Sequence, residues 1–145
     1  GNYLVRNDFG SHLCALGLHL EGVEQLTVAV NDPFNPSRHI GHYRLGVCMN
    51  LSGRLEKAYA HLNKALRAQP TSGYVLYEAA DVSFRLGRHL LARGFLERYF
   101  EQGNPTPDSL LLAVNNDRKL GFDSLVQHYA YQLRKPYYDS PDVVS

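Results

Sequence analysis

The chain carries only two cysteines and almost no net charge, and no apolar run approaches the ~20 residues that a membrane helix needs. Net charge is +1, with fifteen Lys and Arg interspersed among fourteen Asp and Glu. No basic stripe is therefore available to displace counterions from a nucleic acid, and nucleic-acid binding is not expected. Motifs for covalent catalysis are missing as well: there is no Gly-x-Ser-x-Gly elbow, no phosphate-cradling glycine loop and no His-Glu-x-x-His. Seven histidines are scattered along the chain. His39 and His42 alone are close enough to share a helix face, and no Asp, Glu, Cys or third His stands at a partnering interval. Neither a metal, a cofactor nor an enzymatic activity is expected. The chain opens on Gly1-Asn2-Tyr3 without a signal peptide or lipidation motif, so it reads as a processed or trimmed segment. That absence says nothing about location.

What is present is a repeat. Gly53-Arg54-Leu55-Glu56-Lys57-Ala58 recurs 34 residues on as Gly87-Arg88-His89-Leu90-Leu91-Ala92, and 34 further as Gly121-Phe122-Asp123-Ser124-Leu125-Val126. An earlier copy, starting at Gly17, lies 36 residues before Gly53. A 34-residue period with a glycine and a small residue five later is the signature of the tetratricopeptide (TPR) helix–turn–helix unit. Gly53 is expected to take the left-handed conformation that ends the first helix of its unit. The two extra residues fall in Asp32-Pro33-Phe34-Asn35-Pro36, where the prolines forbid a continuing helix. Thr106-Pro107-Asp108 resembles a helix N-terminus, with proline in the first turn. No segment has strand periodicity. The expected fold is all-α: a right-handed TPR superhelix of about four repeats, an α-α solenoid. One domain over residues 1–136 would hold repeats at 3–36, 37–72, 73–106 and 107–136, followed by a non-helical tail at 137–145. The tyrosines of that tail are expected to fray or to fold over the end of the stack.

The first helix of each repeat lines the concave side of such a solenoid. Counted from the shared small residue, Asn7, Tyr43, Tyr77 and Leu111 form one row, and Ser11, Val47, Asp81 and Asn115 form the next. Tyr74 and Phe84 flank them. An aromatic groove with few charges suits a peptide helix or extended segment with apolar anchors. The expected partner-binding set is thus Asn7, Ser11, Tyr43, Val47, Tyr74, Tyr77, Asp81 and Phe84. It lacks the Lys and Asn pattern with which some co-chaperone TPRs clamp a C-terminal carboxylate. Cys14 stands four residues after Gly10, and Cys48 two after Gly46, in adjacent first helices. From that spacing two outcomes stay open, a disulfide across the helix contact or two buried thiols.

Beyond the generic repeat, Asp8-Phe9-Gly10-Ser11-His12-Leu13-Cys14-Ala15-Leu16-Gly17 resembles the "NNYGxFLCxxG" helix of the PilF/PilW family. These are the TPR lipoproteins of type IV pilus biogenesis. Asp32-Pro33-Phe34-Asn35-Pro36 is similar to that family's "DPxYP" insertion, and Leu45-Gly46-Val47-Cys48 to its "xxGxC" helix. Asp108-Ser109-Leu110-Leu111-Leu112, Lys119-Leu120-Gly121 and Tyr131-Gln132-Leu133 resemble its C-terminal end, and Asp139-Ser140-Pro141 resembles its closing segment. Phe9 stands where the family often has Tyr, and Ala113 where it often has Gly. The resemblance implies a disulfide between Cys14 and Cys48, hence an oxidising compartment.

It also implies a function. Members are pilotins, outer-membrane lipoproteins facing the periplasm that help the pilus secretin reach the outer membrane and assemble. The chain would correspond to the last four of about six repeats, without the lipid anchor. The missing repeats are those most often credited with the secretin contact. Expected partners are a PilQ-like secretin or another pilus assembly protein, with the membrane reached only through the absent anchor. The alternative is an intracellular TPR adaptor that binds a peptide in its concave groove and keeps its cysteines reduced.

Overall fold

The computed structural model describes residues 2–138, which form eight helices and, among the described residues, no strand. They are α1 (Asn2–Ala15), α2 (His19–Asn31), α3 (Arg38–Leu51), α4 (Leu55–Ala68), α5 (Gly73–Arg85), α6 (His89–Glu101), α7 (Pro107–Leu120) and α8 (Asp123–Tyr138). Consecutive helices pack as hairpins, and each hairpin stacks on the next. The odd-numbered helices also touch one another in series, whereas no two even-numbered helices do. The row of odd helices is therefore the tighter, inner one.

Each hairpin is built by the same local rules. Gly17, Gly53, Gly87 and Gly121 all stand at positive φ, between 73° and 85°, where a side chain would be strained. Helix α4 shows how burial follows spacing: Ala58, Leu62, Ala65 and Leu66 are buried, while Glu56, Lys57, Lys64 and Arg67 face out. The helices of a hairpin cross closely only because one residue at the crossing is small. A Cβ on Gly46 would come to 2.6 Å from Leu62 Cγ, which itself is fully buried. The core runs through the stack as Leu26, Leu45, Leu62, Leu76, Val82 and Leu96. Thr106 caps α7 as its sequence indicates: its hydroxyl accepts from Ser109 N–H at 3.1 Å, while Ser109 Oγ accepts from Thr106 N–H at 2.9 Å.

The two ends differ from the interior. Val5 and Phe9 of α1 are exposed, although the equivalent Val75 and Ala79 of α5 are buried against the preceding hairpin. At the other end α8 has no fully buried residue. The expectation of a non-helical segment from Tyr137 onward is corrected here. Helix α8 runs through Pro136 to Tyr138. Pro136 loses its N–H bond and crowds the carbonyl one turn earlier, but so near the helix end this disturbs the final turn alone, which stays helical. Tyr137 and Tyr138 stay exposed and do not cover the stack. The rest of the expected tail, with Asp139-Ser140-Pro141, lies outside the described residues.

Candidate interaction groove

Two neighbouring clefts lie along the inner row and share Tyr43 and Tyr74. The first, about 400 Å3, is lined by Ser11, Tyr43, Arg44, Val47, Leu51 and Tyr74, with the cystine at its floor. The second, about 490 Å3, continues past Tyr77 and Glu78 to Tyr99, Thr106 and Asp108. Five residues picked out from register thus line one continuous surface: Ser11, Tyr43, Val47, Tyr74 and Tyr77. Tyr74 is the most open of them at 79% exposure. Tyr77 is half-buried, its ring 6.0 Å from that of Tyr99. A chain of aromatic contacts then leads through Phe100 to Tyr129 of α8.

Three residues assigned to the groove do other work. Asn7 is buried at the contact of α1 with α3, where Gly41 has no side chain to hold the helices apart. Asp81 does not line either cleft. Its carboxylate accepts from Asn50 Nδ2 at 2.8 Å, while Glu78 accepts from the same amide at 2.9 Å. Arg85 completes that cluster by donating to Asn50 O at 2.7 Å and to Asn50 Oδ1. Phe84 packs edge-on against His89 rather than opening to the groove. Register along a helix assigns a face but not what covers it, here the neighbouring hairpin for Asn7 and Asp81 and α6 of the same hairpin for Phe84.

The groove has polar ends that sequence reasoning missed. Arg44 donates to Ser11 Oγ at 2.8 Å and lies 3.8 Å from the Asp8 carboxylate, placing a cation at one end. Glu78 and Asp108 sit at the other end. Burial raises the Glu78 carboxyl above its usual range, against the pull of its Asn50 hydrogen bond. Burial, helped by Glu78, likewise raises the Tyr43 hydroxyl. Arg44 directly follows Tyr43 in sequence, and the four-residue rows passed over it. An apolar, tyrosine-lined middle with opposite charges at its ends can seat a segment with apolar anchors and fix its direction.

The cystine supports this surface from below. Cys14 and Cys48 are bridged, with Cα atoms 5.5 Å apart, and both are buried. Room for it comes from Gly22 of α2, since a Cβ there would run into Cys14 Sγ. Closing a loop of this length stabilises a fold by about 3–4 kcal/mol on the chain-entropy account. Among the described residues no group of three or more His, Cys, Asp or Glu side chains is arranged to hold a metal ion. Nor is any helix among them long and apolar enough to cross a membrane.

No protein-family model matches the chain. It is 24% identical over 136 residues to the type IV pilus assembly protein PilF of Pseudomonas aeruginosa, covering 94% of this chain and 54% of that protein. The solved structure of P. aeruginosa PilF superposes with a TM-score of 0.81 at 23% identity, over 97% of this chain and 64% of that one. The crystal structure of PilW, a widely conserved type IV pilus biogenesis factor, superposes with a TM-score of 0.88 at 25% identity, over 97% and 65%. A tetratricopeptide repeat protein from Parabacteroides merdae gives 0.79 at 17% identity, over 98% and 56%, which speaks for the fold alone. The chain spans about half the length of the curated relative it matches.

Proposed function

From the homology of this chain to the type IV pilus assembly protein PilF, we propose that it is a non-catalytic interaction scaffold of type IV pilus biogenesis. In this reading residues 1–136 act as one TPR domain of a cell-envelope protein. It works as a pilotin-like factor that helps an outer-membrane secretin, PilQ-like, to localise and assemble. The domain would face the periplasm as part of an outer-membrane lipoprotein. Another pilus assembly protein is the second candidate partner.

The observation that carries the reading is the tyrosine-lined groove of the inner helix row, on a stack that matches PilW and PilF. Tyr43, Val47, Tyr74 and Tyr77 supply its apolar contacts, and Ser11 is held in place by Arg44. The buried cystine weighs against the intracellular adaptor, because cytosolic thiols stay reduced.

The test uses Tyr74→Ala in the full-length protein. Tyr74 is mostly exposed, so its loss should leave stability within about 0.5 kcal/mol. Binding of the secretin's periplasmic part, measured by calorimetry, should weaken by about 1–2 kcal/mol, as for an aromatic anchor. Secretin multimers in isolated outer membranes should fall in parallel. Unchanged affinity together with normal multimers would remove the groove from the proposal.

A further inference from the structure

The Pro-containing insertion between α2 and α3 is more ordered than a spacer requires. Asp32 Oδ1 accepts from Phe34 N–H at 2.9 Å, Asn35 Nδ2 donates to Ala29 O at 2.8 Å, and Asn35 Oδ1 accepts from Ser37 N–H at 2.8 Å. Asn35 itself is buried. The result of this fixing is to hold Phe34 outward, 86% exposed, between Pro33 and Asn35. Such an aromatic contributes nothing to the core and leaves apolar surface in water.

Pro33 and Asn35 also form one wall of an open cleft of about 590 Å3. Its other walls carry Arg38, His39 and His42 from α3, and Lys64 and Arg67 from α4, with no carboxylate among them. None of Arg38, Lys64 and Arg67 is in a salt bridge among the described residues. Asp32, in the same insertion, spends one carboxylate oxygen on Phe34 N–H, and Arg38 donates to the Asp32 main-chain oxygen at 3.2 Å. At the inner edge His42 Nδ1 meets His61 Nδ1 at 3.0 Å, so one ring donates to the other. Mixed charge is the rule elsewhere on this chain, which makes a cluster of one sign here an unmatched demand for an anion.

We propose that this cleft is a phosphate-binding site for the headgroups of an anionic lipid surface, with Phe34 as its apolar contact. Cations at a membrane surface meet lipid phosphates, and an adjacent aromatic enters the boundary between headgroups and acyl chains. An acidic peptide would satisfy the cations but leave Phe34 in water; a headgroup layer receives both. The inference stands apart from the pilus reading, since it uses none of the groove residues.

The test is sedimentation of the chain with vesicles of phosphatidylcholine alone and with vesicles rich in phosphatidylglycerol. Binding is expected only to the anionic vesicles and should weaken as salt is added. Lys64→Gln and Arg67→Gln should each lower the partition coefficient about fivefold, the effect of one basic residue at such a surface. Phe34→Ser should lower it without changing the salt dependence. All three side chains are exposed, so these variants retain the fold. A second readout is the His42 ring by NMR. Burial, His61, Lys64 and Arg38 together hold its pKa down at about 4, and a phosphate in the cleft should raise it. Equal binding to both vesicle types, or binding indifferent to all three substitutions, overturns the proposal. So does a response of His42 to inorganic phosphate or to a polyglutamate peptide without vesicle binding, which would assign the cleft to a soluble anion or an acidic chain.

Discussion

The junction between the first and second hairpins and the junction between the third and fourth solve one packing problem by different chemistry. Counted from Gly10, Gly46, Ala80 and Val114, the positions bridged as Cys14 and Cys48 recur as Phe84 and Asn116. Where the first pair is a buried disulfide, the later pair is a ring and an amide closed around His89. Asn116 Nδ2 donates to His89 O at 2.9 Å, Asn116 Oδ1 lies 3.0 Å from His89 Nδ1, and Phe84 packs on the same imidazole. One residue on, Asp117 accepts from Arg93 at 2.9 Å, and Arg93 also reaches Glu97 at 2.8 Å and lies over the Phe122 ring. The intermediate junction has Asn50 and Val82 at these positions, with Asn50 serving Glu78, Asp81 and Arg85. The repeat fixes backbone geometry and leaves the bond type at each seam to vary. One seam then answers to redox conditions and the other to charge.

The difference is open to attack from either side. Arg93→Leu should have the largest effect, about 3–5 kcal/mol in urea denaturation, because it strands the carboxylate of Asp117 in the interior. Substituting both cysteines by alanine should cost about 3–4 kcal/mol, and reducing agent should then no longer change the stability. A loss much smaller than this would mean that the first seam is held by packing alone. Gly22→Ala should cost about 1–3 kcal/mol in the bridged protein, since the added methyl meets Cys14 Sγ. The same substitution in the cysteine-free background should cost clearly less, and equal costs would show that Gly22 serves the helix crossing instead. The smallest effect concerns pH. Burial, outweighing Arg93, raises the Asp117 carboxyl above its ordinary value. A native group with the higher pKa binds its proton first, so its contribution to stability should rise as pH falls through the folded pKa. The cystine does not titrate. Stability curves of the parent and Asp117→Asn should therefore diverge at acid pH, and parallel curves would exclude Asp117 as a titrating group.

How far the sequence revealed this depends on the range of each interaction. Turn glycines, the proline insertion and the Thr106 cap act within a few residues, and all are as expected. Spacing alone leaves the cysteines open between a bridge and two thiols; the family resemblance implies the bridge, which is present. Groove residues are half legible: the two four-residue rows contain Ser11, Tyr43, Val47 and Tyr77, which line the clefts, but also Asn7 and Asp81, which do not. Asn7 is covered because Gly41, from another hairpin, admits close approach, and no periodicity within α1 records that. The polar seams were invisible for the same reason. His42 with His61, Arg93 with Asp117, and Asn50 with Arg85 join residues 19 to 35 positions apart. Their geometry exists only once the helices have packed, within a hairpin for His42 and His61 and between hairpins for the other two pairs.

Burial of the cystine makes it a clock as well as a tie. Cys48 is fully enclosed and Cys14 nearly so. At the floor of the cleft the sulfurs offer a dissolved thiol almost no surface, so in-line attack on the bond needs the first hairpin to move away from the second. The rate at which a small reductant cleaves the bond in native buffer therefore counts those excursions, much as hydrogen exchange counts the opening of a buried amide. A ligand that clamps α1 to α3 would slow that rate without touching either cysteine. The chain thus carries its own gauge of occupancy.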